Sequence, residues 1–154
     1  MRGMRKLPCF VAFLGIALSR AEAAPDSPVK VDVAVSPEAV GAGSDASVVV
    51  KISPKPGIKM NKYPKIKLQI PAVAGLTDGA EQSLGNAAPP PPDQMETNYF
   101  HGGVDPLKVT LHVDPQAGKG RHDVHAQLSY FYCVAASGYC APAKAELTIP
   151  VTVR

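Results

Sequence analysis

Val124-His-Ala-Gln-Leu-Ser-Tyr-Phe-Tyr132 runs directly into Cys133-Val-Ala-Ala-Ser-Gly-Tyr-Cys140, and this stretch decides how the chain is read. Val124, Ala126, Leu128, Tyr130 and Tyr132 occupy every second position. Alternation of that period marks a half-buried strand, because successive side chains leave the backbone on opposite faces. Ser137-Gly138 then supplies a turn. Cys133 would end one strand and Cys140 begin its return, a hairpin that brings the two Cα atoms within range of a disulfide.

The same alternation recurs along the chain. It runs through Val29, Val31, Val33 and Val35, and through Val48, Val50 and Ile52. It appears again in Ile66, Leu68 and Ile70, in Leu107, Val109, Leu111 and Val113, and in Leu147, Ile149, Val151 and Val153. Turn-forming clusters separate these runs: Ser36-Pro37, Gly41 to Ser44, Pro54 to Gly57, Asp114 to Gly120, and Pro142. No segment of helical length carries a 3.6-residue period. Pro150 inside the last run predicts an edge position or a break, because proline cannot donate to a strand ladder. The spacing predicts an all-β domain, an immunoglobulin-like β-sandwich of about seven or more strands, with a closed barrel as the alternative. The chain has no Trp and no inter-sheet Cys pair of the antibody kind, so only the architecture is expected.

The N-terminus reads as a targeting segment. Arg2, Arg5 and Lys6 precede an apolar run from Leu7 to Leu18, and Ala21-Glu22-Ala23 follows as a small-residue exit. This pattern predicts a secretory signal peptide over 1–23 and one domain over 24–154. The run is too short to cross roughly 30 Å of hydrocarbon comfortably. Cleavage would remove four of the 16 Lys+Arg and one of the 13 Asp+Glu, leaving 12 of each. The mature domain would be near neutral, which gives no footing for a nucleic-acid partner, and no later run is apolar enough for membrane insertion of the mature chain. The expected location is periplasmic or secreted, where neighbouring thiols are usually oxidised.

One interval breaks the rhythm. Between Ile70 and Leu107 the only apolar run is Val73 to Leu76. Ala87-Ala88-Pro89-Pro90-Pro91-Pro92 is expected to be extended polyproline II. Asp93-Gln-Met-Glu-Thr-Asn-Tyr-Phe-His-Gly-Gly103 follows. Long loops in compact domains are either functional or simply mobile. Met95, Tyr99 and Phe100 are groups a fully solvated loop does not need, and they suggest a cover over a site.

The cysteine pair leaves two readings open. As a staple it closes a short loop, worth about 2.5 kcal/mol in the chain-entropy account. As an exchange-active pair it needs one sulfur open to attack and a stabilised leaving thiol. Other constellations are weaker. His122 and His125 lie three apart on a strand, hence on opposite faces, which disfavours zinc. No His or Met follows Cys140 as a blue-copper site requires. No cofactor or metal is therefore expected. Lys51, Lys55, Lys59, Lys62, Lys65 and Lys67 lie between Asp45 and Asp78 with no acid among them. They read either as a solvated face or as a dock for an acidic partner.

The segment from Leu128 through Cys133, Gly138-Tyr139-Cys140 and Pro142 to Val151 resembles the N-terminal periplasmic domain of the thiol:disulfide interchange protein DsbD. Pro56-Gly57, Asn61 and Tyr63-Pro64 resemble a second stretch of that family. The similarity covers roughly Val48 to Val153. It implies an immunoglobulin-like sandwich with Cys133 and Cys140 as a redox pair, Cys140 attacking and Cys133 resolving. It implies a membrane-embedded electron donor and thioredoxin-like periplasmic proteins as recipients. It also implies a cap over the disulfide, with Phe100 the best match for the shielding aromatic and Tyr99 the second. The chain departs from the family in having six residues rather than five between the cysteines, and Ile58, Lys59 and Met60 where aromatics line the site.

Overall fold

The computed structural model describes residues 27–154, so the expected signal peptide lies outside the described residues. Eight strands are formed: β1 (Val29–Ser36), β2 (Asp45–Pro54), β3 (Ile58–Met60), β4 (Ile66–Ile70), β5 (Ala80–Leu84), β6 (Leu107–His112), β7 (Gly120–Val134) and β8 (Cys140–Val153). They make two antiparallel sheets, and the molecule is an all-β sandwich. One sheet has the order β1-β2-β6. The other is built on β7, with β8 along one edge and β3 and β4 along the opposite edge; β5 extends it beyond β4.

The core is where the alternating runs meet. Val48, Val50 and Leu111 from the first sheet join Leu68, Leu128 and Ile149 from the second, all but fully buried in one cluster. Burying each such side chain contributes about 1.5–3 kcal/mol. Their odd-numbered or even-numbered partners, such as Ser47, Lys51, Lys108 and Thr110, face solvent.

Two elements were not legible as strands. β3 is three residues long and β5 reads Ala-Glu-Gln-Ser-Leu. Neither presents a run of apolar alternation, and each is held by an established neighbour. β3 pairs with β7, placing Lys59 opposite Cys133, while β5 pairs with β4, placing Leu84 opposite Ile66.

Pro150 sits inside an unbroken β8, and the ladder explains why. The Val134 N–H donates to the Tyr139 carbonyl at 2.7 Å, so the pairs of that parity exchange the hydrogen bonds between β7 and β8. Pro142 and Pro150 belong to the other parity, opposite Phe131 and Asp123, where the backbone nitrogen points away from β7. β8 is an edge strand at both positions, so proline removes no ladder bond there.

The interval before β6 contains short local elements. A tight turn pairs Val73 with Thr77, and Pro92–Asn98 forms 3₁₀ turns kinked at Gln94, where φ is −121° and ψ 24°. Ahead of it, Pro91 has φ −56° and ψ 151°, the polyproline II geometry its run of prolines favours.

Candidate functional site: a disulfide beneath a strap

Cys133 and Cys140 are joined by a disulfide, with an S–S distance of 2.03 Å and a Cα–Cα distance of 4.0 Å. The hairpin sets this up. The two residues face each other at the end of the β7–β8 ladder, in a pair that exchanges no backbone hydrogen bonds. Opposed side chains approach most closely in such pairs. Beyond them the turn closes through the Gly138 N–H donating to the Val134 carbonyl at 2.8 Å. Gly138 adopts φ +69°, a conformation that glycine enters without strain.

The two sulfurs have unlike surroundings. Along β7, Leu128 and Tyr130 point into the core, and Cys133 has the opposite parity. Its side chain therefore leaves on the outer face of the sheet, with Gln127 and Ser129. Cys133 is nevertheless only 3% exposed, whereas Cys140 is exposed. The core does not bury Cys133; a strap formed by residues 92–103 does, together with the segment that follows β3.

That strap is fastened by the backbone. Asn61 continues β3 by donating its N–H to the Phe131 carbonyl at 3.0 Å. On its other side it pairs with Tyr99, flanked by Lys62 N–H to Asn98 carbonyl at 2.6 Å and Phe100 N–H to Met60 carbonyl at 3.0 Å. Asn98, 3% exposed, anchors the strap with its side chain: Oδ1 accepts from the Tyr63 N–H and Nδ2 donates to the Tyr63 carbonyl, each at 2.9 Å. On the far side, Asn86 N–H donates to the Lys62 carbonyl at 2.7 Å. This approach requires Gly85, because a Cβ there would lie 2.1 Å from the Lys62 oxygen.

Strand alternation then sorts the strap's two aromatics. Tyr99 lies opposite Asn61 and shares the outer face with Cys133; its hydroxyl is 3.7 Å from Cys133 Sγ. Phe100, one residue further, has the reverse orientation and packs half-buried against the core, with Lys62 Nζ 5.9 Å from its ring centre. The strap therefore brings Tyr99 to the disulfide and uses Phe100 as a core anchor.

Lys59, directly across the ladder from Cys133, ties strap to sheet. Its Nζ lies 4.7 Å from the Tyr99 ring centre and 3.3 Å from Glu96 Oε2. Both charges are well exposed, so this contact is weak and salt-sensitive. The run of lysines thus finds its acids at a distance: Glu96 meets Lys59, and Glu81 meets Lys67 at 3.1 Å.

Three contributors were given no role at the disulfide by the sequence, although Asn61 and Lys59 lie in a stretch that resembles the family. Asn61 places Oδ1 3.5 Å from Cys133 Sγ, Asn98 holds the strap, and Lys59 bridges it. Each is a single polar residue whose partner is more than 30 positions away, so no local pattern marks it. His122 and His125 are elsewhere: His122 Nε2 lies 2.7 Å from the Gly118 carbonyl, and His125 is exposed beside Gln127 and Glu146. Among the described residues no group of three or more His, Cys, Asp or Glu is placed to hold a metal ion. No helix among them is long and apolar enough to cross a membrane. Neither protein-family models nor curated proteins gave a match to the chain.

The arrangement offers one chemistry. A disulfide with one sulfur exposed and the other covered presents a single sulfur to an incoming thiolate, and the covered one becomes the leaving group.

Proposed function

We propose that this chain is a thiol–disulfide exchange module that passes electrons through Cys133 and Cys140 to thioredoxin-like partners. The observation that carries this reading is the asymmetry of the pair: Cys140 is exposed while Cys133 lies beneath Tyr99. A staple has no need of a strap over one of its sulfurs.

In the reduced module the Cys140 thiolate attacks a client disulfide. An S–S bond forms between Cys140 and the client, and one client thiolate leaves. The Cys133 thiolate then attacks the Cys140 sulfur, re-forms the intramolecular disulfide and releases the second client thiolate. Two electrons pass to the client, and the two protons given up by Cys133 and Cys140 balance those its thiolates take up. The reverse sequence, with a membrane-embedded dithiol donor, recharges the module. No cofactor enters either half.

The immunoglobulin-like type of the sandwich, the kinship with the DsbD N-terminal domain and the periplasmic location are parts of the same proposal. They rest on the cysteine hairpin with its Gly-Tyr turn and on the signal-like sequence of residues 1–23.

The test is a trap. A Cys133→Ser variant leaves Cys140 free and removes the resolving thiol, so a mixed disulfide with a client persists. Incubated oxidised, purified thioredoxin-fold protein should be captured through Cys140, and a Cys140→Ser variant should capture little. Equal capture by both variants, or none by either, would leave the disulfide as a staple.

A further inference from the structure

The Asn61 side chain poses a hydrogen-bonding problem that depends on the redox state of its neighbour. Asn61 is 6% exposed, and its amide oxygen lies 3.5 Å from Cys133 Sγ. An amide oxygen accepts hydrogen bonds. A disulfide sulfur carries no hydrogen to donate. In the oxidised structure, then, two acceptors face one another between residues that are only 6% and 3% exposed. A buried acceptor without a donor is costly. Once the disulfide is reduced, Cys133 gains a thiol hydrogen that it can donate to the same oxygen.

We propose that Asn61 sets the redox balance of the Cys133–Cys140 pair: its amide oxygen accepts the Cys133 thiol hydrogen in the dithiol and loses that bond in the disulfide. Asn61 therefore stabilises the reduced form and makes the disulfide easier to reduce. The half-reaction is the ordinary one. Two electrons and two protons from a donor dithiol convert the S–S bond into two thiols, while the donor closes its own disulfide. Asn61 undergoes no chemistry; it is a positioning residue that weights the two ends of the reaction unequally.

The other sulfur provides a contrast. Cys140 Sγ lies 3.6 Å from the Gly138 carbonyl, again an acceptor. Cys140 is exposed, so water can satisfy that carbonyl in either state. Only on the Cys133 side does reduction supply a donor that nothing else replaces. Tyr99 does not duplicate the effect, since its hydroxyl can donate to Cys133 sulfur in both states.

This inference rests on the exchange reading for its biological meaning, but its test does not depend on where the wild-type potential lies. The full chain and two variants, Asn61→Ala and Asn61→Leu, are equilibrated in a series of dithiothreitol redox buffers, and the oxidised fraction is read by thiol labelling. Both variants lack the acceptor, while one leaves a void and the other fills it. Each should shift the equilibrium towards the disulfide by about threefold to tenfold, or about 15–30 mV more negative for a two-electron couple. Denaturant unfolding of the oxidised and reduced forms supplies a second readout, in which the substitutions destabilise the reduced form more than the oxidised one. Potentials unchanged in both variants, or moved in opposite directions as a packing role requires, would overturn the proposal. So would a shift of both to less negative values, which would mean that the amide nitrogen faces the sulfur. A wild-type potential too low for exchange would instead remove the functional reading and leave the Asn61 shift measurable.

Discussion

Replacing Asn98 by alanine isolates what the strap does. The Asn98 side chain makes two hydrogen bonds, both to the Tyr63 backbone and both at 2.9 Å. A buried hydrogen bond contributes about 1 kcal/mol net, so Asn98→Ala removes about 2 kcal/mol from the closed strap. At 1.4 kcal/mol per factor of ten, the open population rises about 30-fold. The reduced protein serves as its own control, because Cys133 is covered and Cys140 is not. Under brief iodoacetamide pulses, with opening and closing fast relative to alkylation, the Cys133 rate tracks the open population. Peptide mass spectrometry should show Cys133 labelled about 30-fold faster in the variant, with Cys140 within about twofold of the wild type. If Cys133 is labelled at the wild-type rate, or if both cysteines accelerate together, the strap is not what covers Cys133.

Lys59→Met removes the contacts to Glu96 and the Tyr99 ring; because the ion pair is exposed, it should speed Cys133 labelling by less than about fivefold, and raised salt on the wild type should reproduce part of that gain. Gly85→Ala drives a Cβ into the Lys62 carbonyl at φ +125°, so it should cost about 2 kcal/mol or more and be visible as a lowered Tm; a variant as stable as wild type would mean that the 85–86 segment does not lie against Lys62. Leu128→Ala, at a fully buried core position, should cost about 2–5 kcal/mol in denaturant unfolding without altering the ratio of Cys133 to Cys140 labelling. Replacing both cysteines by alanine should lower stability by about 2.5 kcal/mol and leave the far-ultraviolet spectrum that of an all-β domain, since the core cluster does not include the disulfide.

The sheets were legible because burial imposes a period. Val48, Leu68, Leu128 and Ile149 recur at alternate positions since each strand must bury one face, and that requirement is written locally. β5 escaped because an edge strand with a half-buried face tolerates Glu81, Gln82 and Ser83. β3 escaped because three residues cannot display a period. The disulfide followed from two cysteines flanking a turn, but the burial of only one of them did not. That burial depends on the Asn61–Tyr99 pairing between segments 38 positions apart, which alternation within either segment does not reveal. The same pairing decides which strap aromatic meets the sulfur. Tyr99 and Phe100 are indistinguishable as neighbours in sequence, and the ladder assigns one to each face.

The central claim is that the Cys133–Cys140 bond exists to be opened and closed, and its reduction potential addresses that claim most directly. An exchange-active pair should equilibrate at roughly −200 to −270 mV, within reach of thioredoxin-like dithiols. A value below about −300 mV would make the bond a structural staple and contradict the account.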